Sequence, residues 1–551
     1  MTSDYDLIER WSSPSSLGLI VLLLATGYLY RRLQYYRFEQ YASWPQPPPS
    51  LLFGHLKVMH WALQQCPSRD CTDAAFIKIW ELQGKPPAFV LDFRPFGPVL
   101  CIVCKYDLAE QCIRTTKDLP YGMHKSPTLA LFADLIGKGS ILTTDGEQWR
   151  ELRKKFNSGF ASSHLLRLLP VILDSTSRFT ASLDQCVNSG EEFKLGDLCS
   201  SVTYDIIYPL TMGGGSTKSH QNEIRQLYQE IVETYRSVLE TSVFADPRIK
   251  WRRRNLATKL DSLIKQDIEE NFQPQSQDTR PGSIVALSLK DHQALTPEIL
   301  QSTCDQVKTF LFAGQDTTST TLQWAIYELS RTPGALQALR REHDEMFGPD
   351  SSPEDVRDML VSQGASILSK MSYTSAVIKE ALRLHPPGGT ARQAAPGTEM
   401  YIQLPDGRNL RTDGLVAFNC LSIIHRDDDV YGENKDDFVP ERWLHEAGNI
   451  PPGAWRPFER GPRGCIGQEL ANIEARVILA CIVRRYDFSK IGIGATKYGS
   501  NGEPILNQKG QYDVVSEMYD IREVTFKPVD AMRMRVKFAG KTPAGVGVEH
   551  I

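Results

Sequence analysis

The sequence lacks a charge excess of either sign: 62 Lys and Arg stand against 66 Asp and Glu, a formal net charge of -4 over 551 residues. Nucleic-acid binding asks for a basic face or stripe. Nothing in this balance supplies one, so nucleic acid is set aside as a partner. A disulfide framework is missing too. The eleven cysteines are odd in number and most lie singly in apolar stretches, the pattern of reduced thiols in a cytosol-facing body. The one CxxC, Cys101 to Cys104 in PVLCIVC, has no second pair or histidine cluster at zinc spacing and reads as two buried strand cysteines. No GxGxxG loop follows a strand and no flavin domain is fused, so electrons for any redox chemistry must come from another protein. No repeat, low-complexity linker or composition break divides Leu51 to about Gly540, which leaves one large domain.

Long apolar runs are also scarce. The candidate is LGLIVLLLATGYLY, Leu17 to Tyr30, uncharged and followed at once by Arg31 and Arg32. It is shorter than the ~20 residues that span a bilayer, but the neutral stretch Trp11 to Ser16 and the aromatic belt Tyr28, Tyr30, Tyr35 and Tyr36 extend it, so a single transmembrane anchor is expected. Asp4, Asp6 and Glu9 against Arg10 are the wrong charge for a cleaved signal peptide. The positive charge after the run puts the body in the cytosol and a short N-terminal stub in the lumen, hence the endoplasmic reticulum membrane. WPQPPPS, Trp44 to Ser50, reads as an extended spacer. The expected organisation is stub and anchor over 1–31, Pro-rich linker over 32–50, one catalytic domain over 51–540 and a tail over 541–551.

Apolar residues at three and four spacings predict helices over Ile224 to Leu239, Leu256 to Asn271, Pro297 to Arg331, Gly334 to Phe347 and Tyr373 to Leu384. Strand-like runs are Ala88 to Val103, Met400 to Leu404 and Arg533 to Phe538. The fold class is mainly α with small β-sheets.

Chemistry concentrates at FERGPRGCIG, Phe458 to Gly467, where one cysteine sits among glycines 461, 464 and 467 ahead of the helical pattern QELANIEARVILACIVRRY. Glycines remove Cβ atoms where a flat macrocycle must approach the backbone, and they permit φ > 0 in the turn that aims the sulfur. Backbone N–H groups and the positive helix end favour a thiolate. A lone cysteine before a helix is ordinarily a structural thiol; the flanking pattern is what points to ligation. A thiolate beneath iron assists O–O cleavage, where histidine favours storage or peroxidase chemistry.

These ten residues resemble the FxxGxRxCxG haem-binding signature of the cytochrome P-450 superfamily, matched at Phe458, Gly461, Arg463, Cys465 and Gly467. The resemblance implies the fold of that superfamily and haem b, iron protoporphyrin IX, with Cys465 as axial ligand of the iron. It also places Phe458 beside the sulfur, Arg463 on a haem propionate, and Gly467 and Ala313 against the cofactor.

The superfamily's other motifs stand upstream in order. Glu380 and Arg383 in KEALRLHPP form ExxR, one helix face by spacing, although such a pair alone is an ordinary surface salt bridge. FVPERW adds Phe438, Pro440, Glu441 and Arg442, the arginine that locks the ExxR pair in the family. AGQDTTS, Ala313 to Ser319, resembles the oxygen-activation motif. There Gly314 leaves room above a haem, Thr317 can bond back to the carbonyl four residues earlier, and Asp316 can feed protons inward. O–O cleavage consumes protons, so Asp316 and Thr317 are the expected catalytic pair, with Thr318 as helper. Trp149 and Arg153 in WRELR resemble WxxxR and, like Arg392 in PPGGTARQ, would meet a propionate. His425 falls at a family position near the haem but reads as a satisfied structural histidine. Gly492 to Val524 departs from the family pattern, an insertion at the substrate mouth or solvated surface.

The implied activity is an external monooxygenase that hydroxylates, epoxidises or otherwise oxidises a hydrophobic small molecule. NADPH would act indirectly, through a separate NADPH–cytochrome P-450 reductase with cytochrome b5 as a further donor. A basic cluster of Arg150, Lys154, Lys155, Arg456 and Arg460 would steer that flavoprotein. The run RIKWRRRN, Arg248 to Asn255, would meet membrane lipid or solvent. Pocket walls are expected from Tyr121 to Leu142, Phe310 to Thr317 and Pro387 to Ala391, with Leu129, Phe132, Ile136 and Phe312 lining an apolar pocket. FERGPRGCIGQELA and PPGAWRPF are most similar to filamentous-fungal members serving secondary metabolism, which implies a polyketide-like or terpenoid intermediate. Two other readings are a hydroperoxide isomerase or dehydratase on the same fold, which would not need Asp316 and Thr317, and a non-catalytic haem sensor.

Overall fold

The computed structural model describes residues 14–117, 119–214, 216–235, 246–272, 282–394 and 400–540. The luminal stub over 1–13, the tail over 541–551 and the end of the helix expected to run to Leu239 lie outside the described residues.

Helices dominate, as the periodicity requires. Among them are α1 (Pro14–Gln34) at the N-terminus, α2 (Gly146–Asn157), α3 (Leu169–Ser189), α4 (Leu195–Met212), α5 (Pro297–Arg331), α6 (Ser372–Leu384) and α7 (Gln468–Ile482), of which α2, α4, α5, α6 and α7 build the site. The span expected for α5 coincides with the helix, because Thr296 caps its first turn by accepting from the Ile299 N–H and Pro297 fits that turn. The helix expected from Leu256 begins earlier, at Pro247, where Asp246 accepts from the Arg248 N–H. Its first turns are too polar to carry an apolar period.

Among the described residues twelve strands form four small sheets: β1 (Ala88–Asp92), β2 (Val99–Val103), β3 (His124–Lys125), β4 (Phe193–Lys194), β5 (Thr390–Gln393), β6 (Tyr401–Gln403), β7 (Asn409–Arg411), β8 (Leu415–Asn419), β9 (Tyr486–Lys490), β10 (Asp520–Arg522), β11 (Phe526–Pro528) and β12 (Arg533–Phe538). The largest has the order β1-β2-β8-β5-β3. At its edge Lys125 is the Cα partner of Arg392, which sets the two basic side chains on one face. Cys101 lies in β2 and Cys104 just after it, both buried, their thiols pushed well up by that burial.

The core is organised around α5, against which α4 packs closely. A Cβ on Gly314 would stand 2.6 Å from Ile207 Cγ1, and Thr203 donates to the Gln315 carbonyl at 2.9 Å. Gly314 is therefore needed for helix-to-helix approach, and it also lines the central cavity on the side expected to face the cofactor.

At the N-terminus the expected transmembrane span is also corrected: among the described residues no helix is long and apolar enough to cross a membrane. The uncharged run Leu17 to Tyr30 covers only about 21 Å at ~1.5 Å per residue, against a hydrocarbon core of ~30 Å. Its side chains are exposed, Leu24 by 69%. The linker is no free spacer either. Arg37 is buried in an ion pair with Asp92 at 2.5 Å, Trp44 Nε1 donates to the Arg411 carbonyl at 3.1 Å, and the Val90 N–H reaches the Pro45 carbonyl at 2.8 Å.

The segment from Gly492 makes three isolated bridges, Thr496 with Val514, Tyr498 with Pro504 and Leu506 with Tyr512. It closes the end of α5, where the Tyr512 N–H reaches the Arg331 carbonyl at 2.7 Å. None of Gly492 to Val524 lines the central cavity.

Candidate active site

A cavity of about 330 Å³ lies between α5 and the loop before α7. On one side stand Phe458, Gly464, Cys465, Ile466 and Gly467; on the other stand Ala313, Gly314, Thr317 and Thr318. The sequence motifs therefore meet face to face across a slot.

The cysteine loop is rigidly built. Its N–H at Cys465 donates to the Phe458 carbonyl at 2.9 Å, and Arg153 Nη1 donates to the Gly464 carbonyl at 2.6 Å. Of the three glycines only Gly461 uses the left-handed region, at φ 73°; Glu459 enters it too, at φ 54°. The strain at Glu459 is held by its carboxylate, which accepts from Arg456 at 2.9 and 3.1 Å and from Asn419 at 3.1 Å. Cys465 is open to the cavity yet enclosed by protein. Burial pushes its thiol up, and the Gly467 and Gln468 N–H groups with Arg153 and Lys125 only partly oppose this. The expected thiolate thus needs a bound cation, which iron provides.

Behind the loop, Glu380 and Arg383 are fully buried, so ExxR is no surface pair. Arg383 donates to both Glu380 oxygens at 2.8 and 2.9 Å. Arg442 Nε, Trp443 Nε1 and the Val439 N–H complete the carboxylate at 3.0, 2.9 and 3.0 Å. With all these donors the arginines hold the Glu380 carboxyl below its usual range despite the opposing burial. His425 is buried and lies outside the cavity lining.

Beside Lys125 on the β3–β5 pair, behind the cavity lining, Arg392 is 1% exposed, and none of its three guanidinium nitrogens has a partner. Burial lowers it to about 10. Lys125 faces the cavity beside it and is lowered to about 7, by burial first and then by Arg392 and Arg463. Arg463 lies over the Trp149 ring at 4.8 Å and is ion-paired with Asp145, with its Nε left unpaired. A buried cation with no counter-charge is costly. An anionic, flat group with its acid tails at Arg392 and Lys125 and its centre over Cys465 removes that cost, so the donor set fits haem.

On the opposite wall the Thr317 hydroxyl donates to the Ala313 carbonyl at 2.8 Å, the back-bond expected from the motif. Asp316 is not brought to the cavity. It turns to the β10–β11 hairpin, pairing with Lys527 at 2.9 Å and accepting from the Thr525 hydroxyl. Leu129, Phe132, Ile136 and Phe312 are absent from the cavity lining. Phe132 packs on Tyr235 instead, with ring centroids 5.2 Å apart, and the apolar wall comes from Ile141, Leu142, Phe160, Ile207, Phe310 and Leu382. On the outer face Arg456 is buried and paired with Glu110 and Glu459, which removes it from the expected basic cluster; Arg150 and Lys154 are exposed, and Arg460 is half-buried and paired with Glu110. In the run Arg248 to Asn255, Arg253 is buried against Thr234 and Tyr235.

Two residues escaped sequence reasoning. Lys125 carries no local motif; only its long-range pairing with Arg392 reveals it. Glu474 lines the cavity, is 1% exposed, has Oε1 unpaired, and is pushed well up by burial. Its signal was present: a carboxylate at helical spacing among Leu470, Ile473, Val477 and Ile478, on the buried face of α7.

A cysteine open to a slot beneath a threonine back-bonded helix, with Lys125 and Arg463 at one end and the unpartnered Arg392 behind them, is the arrangement of a haem-thiolate enzyme. The cytochrome P-450 family model matches residues 59–514. The cytochrome P-450 monooxygenase polC of Polytolypa hystricis is 30% identical over 484 residues, 83% of this chain and 84% of that protein. The monooxygenase acrF of Aspergillus aculeatus is 30% identical over 432 residues, 73% of this chain and 84% of that protein. The crystal structure of the cytochrome P-450DA haem domain aligns with a TM-score of 0.68 at 18% identity, over 90% of this chain and 98% of that one. The chain belongs to the cytochrome P-450 family. Its activity is that of a monooxygenase, and its cofactor is Cys-ligated haem b.

Proposed function

We propose that this enzyme oxygenates a hydrophobic intermediate of fungal secondary metabolism, polyketide-like or terpenoid, with electrons from a separate NADPH-dependent reductase. The observation that carries the reading is the slot shared by Cys465, Thr317, Lys125 and Arg463, with the unpartnered Arg392 guanidinium buried beside Lys125 on the β3–β5 pair. Bound haem supplies dioxygen binding and the electron-rich centre for O–O cleavage. The chain's own residues do the rest. Cys465 would hold the iron; Phe458, Gly467 and Ala313 shape the faces of the slot; Arg392, Arg463, Arg153 and Trp149, joined by Lys125, would hold the acid tails. Glu380, Arg383 and Arg442 brace the scaffold. Thr317 presents a hydroxyl inside the slot, and Asp316 passes protons toward it from the outer side of α5. The apolar wall around Phe160, Ile207 and Phe310 excludes water and accepts an apolar substrate.

The exposed apolar face of α1, with Arg31 and Arg32 at its end, supports attachment at the endoplasmic reticulum membrane with the catalytic body in the cytosol. Arg150, Lys154 and Lys155 support docking of an acidic reductase. The reduced carbon monoxide difference spectrum, wild type against Cys465→Ser, tests the central assignment: the thiolate band must vanish in the variant, and its persistence refutes axial ligation by Cys465.

A further inference from the structure

What holds Asp316 lies far along the chain. Lys527 Nζ stands 2.9 Å from Asp316 Oδ1 and 3.1 Å from Glu523 Oε2, while the Thr525 hydroxyl donates to Asp316 Oδ2. Both partners belong to the β10–β11 hairpin, as does Glu523, the second partner of Lys527, so both oxygens of the acid are occupied from outside α5. The Asp316, Glu523 and Lys527 side chains are 16%, 19% and 25% exposed: sheltered, yet touching water at the hairpin's edge. Burial alone would lower the Lys527 ammonium, but Asp316 and Glu523 outweigh it and the net direction is upward, as a settled ion pair requires. The same hairpin donates the Phe526 N–H to the Pro387 carbonyl at 2.9 Å, and Pro387 lines the cavity.

A carboxylate that must relay protons needs a fixed orientation and a contact with water. The hairpin gives Asp316 its orientation, while its neighbour Thr317 on α5 is turned into the slot and back-bonded to Ala313. We propose that Lys527, assisted by Thr525, is the positioning residue that holds Asp316 on the outer side of α5, and that the Glu523–Lys527 pair is its contact with solvent protons. This rests on the reading of Asp316 as the proton-delivering acid.

The balance of dioxygen reduction supplies a readout that needs no substrate. Dioxygen reduced to hydrogen peroxide takes two protons and two electrons; carried on to water, it takes four of each. The electrons come from NADPH through the reductase, so poor proton supply diverts them to peroxide. Full-length holoenzyme is reconstituted with an NADPH–cytochrome P-450 reductase, and peroxide formed per NADPH consumed is measured for wild type, Lys527→Met, Lys527→Arg and Asp316→Asn. Lys527→Met and Asp316→Asn should each raise the peroxide share by about fivefold, Lys527→Arg should stay near wild type, and the double variant should be no worse than Asp316→Asn. A second readout is independent of turnover: thermal unfolding of the same set should show non-additive losses for Lys527→Met and Asp316→Asn. If Lys527→Met does not retain the thiolate carbon monoxide band, Thr525→Val, which removes the other donor to the same carboxylate, takes its place. Peroxide unchanged in the hairpin variant while Asp316→Asn rises overturns this inference and leaves the Asp316 reading standing. Peroxide unchanged in Asp316→Asn overturns the reading itself, and the inference with it.

Discussion

Replacing Arg392 by Met should separate what the guanidinium does for the fold from what it does for the cofactor. Arg392 is a buried cation whose three guanidinium nitrogens have no partner within the protein. Unpaired buried donors cost about 1–3 kcal/mol, more when charged, and Met fills similar space without them. The haem-free variant should therefore be more stable, by about 2 kcal/mol. With haem bound the sign reverses. A charge-assisted pair with a propionate is worth about 3 kcal/mol, so its loss should raise the haem dissociation rate roughly a hundredfold. Denaturant unfolding of the haem-free proteins reads the first effect, and haem transfer to excess apomyoglobin reads the second. Dissociation at the wild-type rate would refute the propionate assignment. A less stable haem-free variant would refute the claim that the site is cationic and uncompensated without its cofactor.

Lys125 makes a pH-dependent counterpart, since its folded-state value of about 7 lies below the ordinary 10.5. Between those values the unfolded chain keeps a proton that the folded haem-free protein has released, so stability rises with pH across that window; Lys125→Met should flatten the slope of denaturant midpoints. Glu380→Gln should cost about 3–5 kcal/mol by leaving Arg383 and Arg442 buried without a counter-charge, read by denaturant unfolding. Gly314→Ala should cost about 1–3 kcal/mol through contact with Ile207, and Ile207→Val should recover part of it; thermal unfolding of the single and double variants decides.

Legibility in the sequence followed the length scale of the interaction. Cys465, the ExxR pair and Thr317 were readable because each depends on neighbours within a few residues, and α5 because its caps and period agree. What stayed hidden depends on contacts between distant segments. Asp316 looked inward by motif, but its partners are on a hairpin some 200 residues later. Gly314 is readable as a residue beside the cavity, but not as the point where α4 approaches α5. Leu129 and Phe132 were placed in the pocket by analogy of position, whereas the fold turns Phe132 to Tyr235. The short apolar run of α1 promised a span that its length does not deliver.

His425 gives the site a mechanical property. Its Nε2 accepts from the Arg456 N–H at 3.1 Å, so Nδ1 carries the proton and donates to the Arg383 carbonyl at 3.1 Å. Burial and the surrounding arginines push the ring down to about 3. It therefore stays neutral wherever the enzyme works and never swaps tautomer. One imidazole thus serves as a calibrated strut between the Glu380 network and the loop that presents the sulfur, so a disturbance at either end is felt as misalignment at the other. The frame that aims the cysteine keeps its gauge across pH.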